Sequence, residues 1–286
     1  MCKAKGLITF KYLDLILFLG WHILSKTEPV VILCGGKGTR LREETEFKPK
    51  ALVEIGGKPI LYHVMEHYSK FGYNNFILAL GYMGDRIRED VLHMRDLRSD
   101  MTLRLGTQGK THYNEPSYVG RWIVTFVDTG QETPTGGRLK LAESYVKTRN
   151  FLVTYCDGLS DVNLHKLYQQ HIRSKKTGTL TAVHPASPFG TLQVSENLNV
   201  DSFKEKPRLD GLINGGFFVF NRDIFRTLRR DSVLEEEVLR SLASNGKLGA
   251  YVHNGYWECM DTFKQVESLN RAYAASMAER GKTPWQ

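Results

Sequence analysis

The chain has 286 residues, 41% of them hydrophobic and 24% charged, which is the composition of a folded protein with a large core. Its formal net charge of +8 arises from 39 basic and 31 acidic residues without any long basic run, which argues against nucleic-acid binding and suits a pocket for phosphorylated small molecules. The four cysteines lie far apart without a C-x-x-C pair. We therefore expect neither a zinc site nor a disulfide framework, and the cysteine usage fits the reducing cytoplasm.

Residues 1–28 are interpreted as an apolar N-terminal extension to a domain that spans residues 29–286. The uninterrupted apolar run Leu15–Trp21 has seven residues, far fewer than the roughly 20 that a membrane-spanning helix needs. Ser25–Glu28 is a poor cleavage site for a signal peptide. Membrane insertion is therefore not expected. A dispensable extension, an added packing or oligomer helix and a membrane-surface anchor all stay open.

From Val30 onward, short apolar runs alternate with segments whose apolar residues recur at helical spacing. The predicted strands are 30–33, 75–80, 122–128, 151–155, 179–184, 217–220 and 248–252, and the predicted helices are 60–68, 85–94, 138–146, 161–173, 234–242 and 263–277. This alternation is typical of parallel βαβ units. We expect an α/β fold with a Rossmann-like, mostly parallel (mixed) central sheet flanked by helices, and a small β-rich lobe at 190–203.

The strand at 30–33 runs directly into the glycine-rich segment Cys34–Leu41. Glycines let backbone N–H groups approach phosphate oxygens, and Arg40 and Lys50 can add positive charge. Because ligands of open α/β sheets bind at the carboxyl ends of strands, this segment predicts an anion site. It is neither a Walker A loop nor a complete G-x-G-x-x-G fingerprint, since Leu41 occupies the last position. An ordinary glycine turn is the alternative.

Several motifs occur in a fixed order along the chain. The first are L-x-G-G-x-G-T-R-L, K-P-K and V-E-I-G-G-K-P-I-L, within residues 33–61. Those that follow are Val127–Gly130, Thr135–Lys140, Asp157-Gly158, Glu205–Pro207 with Asn214–Phe218, and Met260–Thr262. Together they resemble the sugar-1-phosphate nucleotidylyltransferases over about residues 30–286. Such enzymes make a nucleotide-sugar and pyrophosphate from a sugar 1-phosphate and a nucleoside triphosphate.

Within that family the motifs are most similar to the cytidylyl branch. This resemblance implies transfer of CMP from CTP to α-D-glucose 1-phosphate, with Mg²⁺ as cofactor, and a homo-oligomer by analogy with family members. The nucleophile would be a phosphate oxygen that is largely ionised at neutral pH, so no general base is required. A uridylyl- or thymidylyltransferase of the same fold and a catalytically silent nucleotide-sugar-binding subunit are the alternatives.

The resemblance also implies roles for individual residues. Arg40, Lys50 and Asp157 would be catalytic, with Arg40 at the β- and γ-phosphates and Lys50 at the α-phosphate and the leaving pyrophosphate. Asp157 and Asp261 would ligate Mg²⁺, because hard carboxylate oxygens together with substrate phosphates suit this ion. The further positions implied for binding are Leu33, Gly35, Gly36, Gly38, Thr39, Thr135, Gly136, Arg138, Gly190, Glu205, Lys206 and Asn214.

Five of these positions carry the specificity hypotheses. Lys206 is expected at the sugar phosphate and Glu205 at the sugar hydroxyls, with Gly190 and Asn214 near the hexose, so the small lobe would bind the sugar. Arg138 is the candidate for base selection. A guanidinium only donates hydrogen bonds, cytosine presents acceptors at O2 and N3, and uracil carries a proton at N3. A helix-start arginine that contacts only phosphate or solvent is the alternative.

Two cysteines flank the expected site. Cys34 stands where alanine is common in the family, and Cys156 stands where relatives commonly have glycine before the aspartate. A reactive thiol needs cationic neighbours and exposure. We therefore expect both to be buried structural cysteines.

Overall fold

The computed structural model describes residues 26–41, 45–94, 101–103, 111–113 and 122–286. The strands are β1 Val30–Leu33, β2 Glu54–Ile55, β3 Lys58–Pro59, β4 Asn75–Leu80, β5 Met101–Leu103, β6 Thr111–Tyr113, β7 Ile123–Asp128, β8 Asn150–Tyr155, β9 Gly158–Ser160, β10 Gly178–Val183, β11 Thr191–Val194, β12 Val200–Lys204, β13 Ile213–Asn221, β14 Leu248–His253 and β15 Trp257–Cys259. The helices are α1 Ile60–Lys70, α2 Gly84–Leu92, α3 Thr135–Leu141, α4 Leu164–Ser174, α5 Leu239–Ser244 and α6 Phe263–Arg280.

Within the described residues, seven strands form the central sheet in the order β14-β10-β13-β8-β1-β4-β7. β1 lies between β4 and β8 and is parallel to both. β13 is antiparallel to its two neighbours, β8 and β10, and so makes the sheet mixed. The predicted fold class, a mostly parallel Rossmann-like sheet with flanking helices, is confirmed.

The four residues of β1 divide between two hydrophobic cores. Val30 and Ile32 belong to the core that contains side chains of α1 and α6, whereas Val31 and Leu33 belong to the core that contains side chains of α3 and α5. This follows from the two-residue period of a strand. Burying each such side chain contributes roughly 1.5–3 kcal/mol. Helices therefore cover both faces of β1, and the loop after Leu33 emerges at the edge of the sheet.

Helix α3 begins at Thr135 and ends at Leu141, so the prediction of a helix over 138–146 preceded by a loop was wrong at both ends. The early start includes Gly136 and Gly137, which sequence rules assign to a loop. A Cβ at Gly136 would lie 2.7 Å from the carbonyl oxygen of Ser232, and one at Gly137 would collide with the carbonyl oxygen of Arg230. Glycine is used here because another backbone segment packs against the first helical turn.

The other helices differ from their predicted bounds by a few residues, and two of the differences are informative. The predicted helix 234–242 is a π-helical turn, Leu234–Val238, followed by α5. Helix α4 starts at residue 164 rather than 161, because the Asn163 side chain accepts a hydrogen bond of 2.9 Å from the backbone N–H of Lys166 and caps the helix.

The β-rich lobe is present as expected. Strands β11 and β12 pair in antiparallel fashion with each other and form a sheet of their own beside the central one. Several apolar side chains of the lobe are exposed: Phe189 (75%), Leu192 (55%), Leu198 (84%), Val200 (58%) and Phe203 (62%).

Residues 1–25, most of the proposed extension, lie outside the described residues. Its last residues contact the domain. The Lys26 backbone N–H donates to the Gly72 carbonyl at 2.8 Å, and the Tyr168 hydroxyl donates to the Glu28 carboxylate at 2.8 Å. None of the helices in the described part of the chain is long and apolar enough to cross a membrane.

Candidate active site

Strand pairing gathers distant residues at one edge of the sheet. Leu33 of β1 is in register with Tyr155 of β8, so the glycine-rich loop and Asp157 leave two neighbouring parallel strands on the same side. Strand β15 pairs with β9 directly after Asp157, and the Met260 N–H donates to the Asp157 carbonyl at 2.9 Å. This pairing places Asp261 next to Asp157.

Four charged side chains form a compact ion cluster, which consists of Arg40, Lys50, Asp157 and Asp261. Lys50 Nζ lies 2.5 Å from Asp157 Oδ2 and 2.7 Å from Asp261 Oδ1. Arg40 Nη2 lies 3.1 Å from Asp261 Oδ1. The Lys50 side chain is 12% exposed. Burial lowers the pKa of Lys50, but the two carboxylates outweigh burial, and the net result is a raised pKa. Lys50 therefore stays cationic at neutral pH.

The ion cluster lies between two cavities. The first, of about 510 Å³, is bordered by the glycine-rich loop and the start of α3, and we call it the glycine-loop cavity. The second, of about 430 Å³, is bordered by Asn214–Phe217 and Trp257, and we call it the Asn214 cavity. Both are lined by Arg40, Tyr155, Asp157 and Asp261. Two ligands, one in each cavity, could therefore both reach the carboxylates.

Most residues implied by the resemblance line these cavities. The glycine-loop cavity receives Leu33, Gly35, Gly36, Gly38, Thr39, Arg40, Lys50, Thr135, Arg138, Asp157 and Asp261. Asn214 lines the second cavity. Gly136 instead packs against the backbone of Ser232. Gly190, Glu205 and Lys206 line neither cavity as the described residues define them.

These last three residues lie together on the lobe. Glu205 Oε1 is 3.5 Å from Lys206 Nζ, and the two side chains are 62% and 49% exposed. A Cβ at Gly190 would lie 2.6 Å from the Phe203 ring and 3.2 Å from Glu205 Oε2. Lys206 has a φ of +44°, in the left-handed region that non-glycine residues seldom adopt. The structure therefore groups the three residues on the lobe, and within the described part of the chain they line neither of the two cavities that the ion cluster borders.

Arg138 is buried, with 4% exposure, and its guanidinium is hydrogen-bonded to the protein itself. Its acceptors are the carbonyl oxygens of Gly35 (2.9 Å), Leu80 (3.1 Å), Gly130 (2.8 Å) and Gln131 (3.0 Å) and the hydroxyl of Thr129 (2.6 Å). Arg138 thus joins the loops that follow β1, β4 and β7. A base reader would need free donors, and these Nη donors are committed to protein oxygens. The contacts favour a structural role and do not support the base-reading hypothesis.

The glycines near Arg138 are of two kinds. A Cβ at Gly35 or at Gly81 would collide with the guanidinium, so these glycines make room for Arg138. At Gly36 no described atom lies within 4 Å of where a Cβ would stand. Of the two adjacent loop glycines, Gly35 and Gly36, it is therefore Gly36 whose backbone is open to an incoming ligand.

The three cysteines beside the site are buried or half-buried. Cys34 and Cys156 are 3% and 7% exposed. A hydrogen bond with Cys156, together with burial, raises the pKa of the Cys34 thiol. Burial and the nearby Asp261 raise the pKa of Cys259 to about 11. The arrangement agrees with structural thiols.

Among the lining residues that sequence reasoning missed, Tyr155 and Glu235 contact each other. Tyr155 lines both cavities, and its hydroxyl donates to the carboxylate of Glu235, which lines the Asn214 cavity. Tyr155 could have been found from its place at the end of β8, two positions before Asp157. Glu235 had no comparable signal, because it lies in a run of three glutamates on a distant segment.

The fold and the site together fit one class of protein, an α/β enzyme with two adjoining cavities that share Arg40, Asp157 and Asp261. Comparison with known families agrees: the model described as "Nucleotidyl transferase" matches residues 29–276. The chain belongs to this nucleotidyl transferase family, and the resemblance seen in its motifs is confirmed.

Two relatives and one solved structure are similar to most of the chain. The chain is 43% identical to the glucose-1-phosphate cytidylyltransferase of Salmonella typhi, covering 90% of this chain and 98% of that protein. It is 40% identical to the probable glucose-1-phosphate cytidylyltransferase of Bacillus subtilis strain 168, with the same coverage. Among solved structures, HddC from Yersinia pseudotuberculosis superimposes with a TM-score of 0.62 at 24% identity, covering 86% of this chain and 99% of that one. This last likeness concerns the fold alone.

Proposed function

We propose that the protein transfers CMP from CTP to α-D-glucose 1-phosphate and releases CDP-glucose and pyrophosphate. The observation that carries the proposal is the position of the ion cluster between two cavities, both of which reach Arg40, Asp157 and Asp261. A transferase that joins two polyanions needs such a shared centre. The choice of CTP and glucose 1-phosphate follows the relatives named above.

The donor set suits Mg²⁺ as the cofactor. Among the described residues no group of three or more histidine, cysteine, aspartate or glutamate side chains could hold a metal ion. Mg²⁺ in phosphate-transferring sites is bound by one or two carboxylates together with substrate phosphates, so the Asp157–Asp261 pair fits. These two residues would hold the ion, which when bound neutralises charge on the reacting phosphates.

The cationic side chains of Lys50 and Arg40 would stabilise the negative charge of the reacting phosphates. The attacking phosphate oxygen is already ionised, so the protein need not remove a proton. Lys50, which stays protonated, would stabilise charge at the α-phosphate and on the leaving pyrophosphate. Arg40 borders both cavities, so it can approach both polyanions, and the proposed contact with the β- and γ-phosphates is compatible with its position.

The sugar is proposed to occupy the Asn214 cavity. The Asn214 side chain is held by a hydrogen bond of 2.9 Å from the Gly216 N–H to its Oδ1. Glu205 and Lys206 keep their proposed roles at the sugar hydroxyls and the sugar phosphate. Their exposure leaves them accessible to a ligand that reaches the lobe.

Two wider proposals complete the function. The exposed apolar side chains of the lobe, Leu192 and Phe203 among them, support a homo-oligomer in which a second copy covers them. Cys34, Cys156 and Cys259 are free thiols, which agrees with a reducing compartment such as the cytoplasm.

The deciding experiment measures pyrophosphate release from glucose 1-phosphate with CTP, UTP, dTTP, ATP or GTP in the presence of Mg²⁺. We expect release with CTP well above the others. Asp157→Asn should abolish it. Asp161→Asn, a nearby aspartate whose carboxylate pairs with His253 at 2.9 Å, is the matched control. A preference for UTP or dTTP would assign the protein to another branch, and no release with any nucleotide would favour a silent binding subunit.

A further inference from the structure

Glu235 is a charged side chain that lines the Asn214 cavity and has no role in the reaction as proposed so far. It belongs to the π-helical turn Leu234–Val238, and π-helical turns occur frequently at functional sites. Its neighbours Glu236 and Glu237 line neither cavity as the described residues define them. The turn therefore directs one of three consecutive carboxylates toward the substrate side.

Each oxygen of the Glu235 carboxylate accepts a hydrogen bond from a hydroxyl group. Thr135 Oγ1 donates to Oε2 at 2.6 Å, and the Tyr155 hydroxyl donates to Oε1. The Leu234 N–H donates in turn to Thr135 Oγ1 at 3.0 Å. Although Glu235 as a residue is exposed, its carboxylate is fixed by two partners from different elements.

The two hydroxyl groups belong to residues that border the cavities differently. Thr135 lines the glycine-loop cavity, and Tyr155 lines both cavities. The Asn214 amide nitrogen lies 3.5 Å from the Tyr155 hydroxyl. A polar chain in the order Thr135, Glu235, Tyr155 and Asn214 therefore runs from one cavity to the other.

The carboxylate also sets which way the Tyr155 hydroxyl points. A hydroxyl has one proton, which is donated here to Glu235, so its two lone pairs act only as acceptors. One of them faces the Asn214 amide, and the other is left for a ligand. Burial, reinforced by Glu235, raises the pKa of Tyr155, so the phenol retains its proton. An accepting surface suits the hydroxyl groups of a sugar and disfavours a phosphate, which also accepts. The phosphate is favoured instead beside the cations Arg40 and Lys50.

We infer that Glu235 is a positioning residue that acts through Tyr155 to orient the hexose ring of the sugar phosphate. The inference rests on the proposed transferase function and adds a residue to its sugar site. Thr135 and the Leu234 N–H hold the carboxylate in place from the nucleotide side. The ring then lies toward Tyr155, and the 1-phosphate lies toward the ion cluster.

The test compares Glu235→Gln with Glu236→Gln in the full-length enzyme. The amide keeps the shape of the carboxylate but loses its charge and one acceptor. A hydrogen bond to a charged group corresponds to about a 10-fold effect or more, so we expect the KM for glucose 1-phosphate to rise about 10-fold in Glu235→Gln. The KM for CTP should change less than about 3-fold, because Glu235 itself lines the Asn214 cavity and not the glycine-loop cavity. The unfolding temperature should match that of Glu236→Gln.

Tyr155→Phe supplies the second measurement and does not depend on whether Glu235→Gln folds. Alone it should raise the KM for glucose 1-phosphate, and adding Glu235→Gln to it should cost no more than about a further 2-fold, since the two residues act together. Equal KM values in Glu235→Gln and Glu236→Gln, an unchanged KM in Tyr155→Phe or fully additive losses would overturn the inference and leave the transferase in place. A wild-type enzyme inactive with every nucleotide would overturn the proposed function, and the inference with it.

Discussion

The residues around the glycine-loop cavity, which we call the loop half of the site, are held differently from the functional residues of the β-rich lobe. In the loop half, Lys50 and Asp157 are partly buried and ion-paired with each other, and Asp157 follows β8, whose register with β1 is fixed. On the lobe, Glu205 and Lys206 are exposed and follow a strand that pairs with β11 alone. Motifs in the sequence indicated both groups. A motif therefore identifies candidate residues. The pairing of the strands that they follow determines which of these candidates lie in the same site.

The strongest test of the loop half is Lys50→Met. This substitution removes the cation between two carboxylates and the proposed charge partner of the α-phosphate. Loss of one preorganised charge partner should lower kcat by about 100- to 1,000-fold. The measurement is steady-state pyrophosphate release, with Lys166→Met on the exposed side of α4 as the matched control. A loss below about 10-fold would contradict the role given to the ion cluster.

Arg138→Gln tests whether the loop half depends on a buried structural arginine. The guanidinium donates to four carbonyl oxygens and one hydroxyl, and glutamine cannot replace this set. We expect the free energy of unfolding to fall by at least about 3 kcal/mol. Urea denaturation measures it, and Arg173→Gln on α4 is the exposed control.

The same variant distinguishes the structural role from base reading. Turnover with CTP and with UTP should fall together if the guanidinium only holds the loops. An unchanged unfolding free energy with a lost preference for CTP would restore the base-reading hypothesis.

A pair of glycine variants separates space for Arg138 from space for a ligand. Gly35→Ala places a methyl group against the hydrogen-bonded guanidinium of Arg138 and should lower the free energy of unfolding by about 1–3 kcal/mol. Gly36→Ala meets no described atom within 4 Å, so we expect a stability change within about 0.5 kcal/mol but weaker nucleotide turnover. Thermal unfolding and pyrophosphate release measure the two effects. Equal destabilisation by both variants would show that Arg138 does not set the requirement at Gly35.

The sequence was sufficient for the elements whose signal is local. The β-branched run at Val30–Leu33 and the alternation of strands and helices predicted the sheet that positions the loop. The role of Arg138 could not be predicted, because four of its five acceptors are backbone carbonyl oxygens from separate parts of the chain. Every residue has a backbone carbonyl, so the residue type does not indicate which of them Arg138 contacts. Glu235 was missed for a similar reason, since its link to Tyr155 joins segments 80 positions apart.

A substitution on the lobe has the smallest expected effect on catalysis, and it tests most directly the difference between the lobe and the loop half. Lys206→Ala removes an exposed cation that lines neither cavity as the described residues define them, so its contribution to binding is weakened by solvent. We expect a rise of about 3- to 10-fold in the KM for glucose 1-phosphate with little change in kcat, the behaviour of a residue that binds ground state and transition state alike. Lys204→Ala, at the exposed end of β12, is the matched control and should have the wild-type KM. A fall in kcat as large as that of Lys50→Met would instead mean that Lys206 reaches the reacting phosphates during turnover, and that the separation between the lobe and the loop half does not persist with substrate bound.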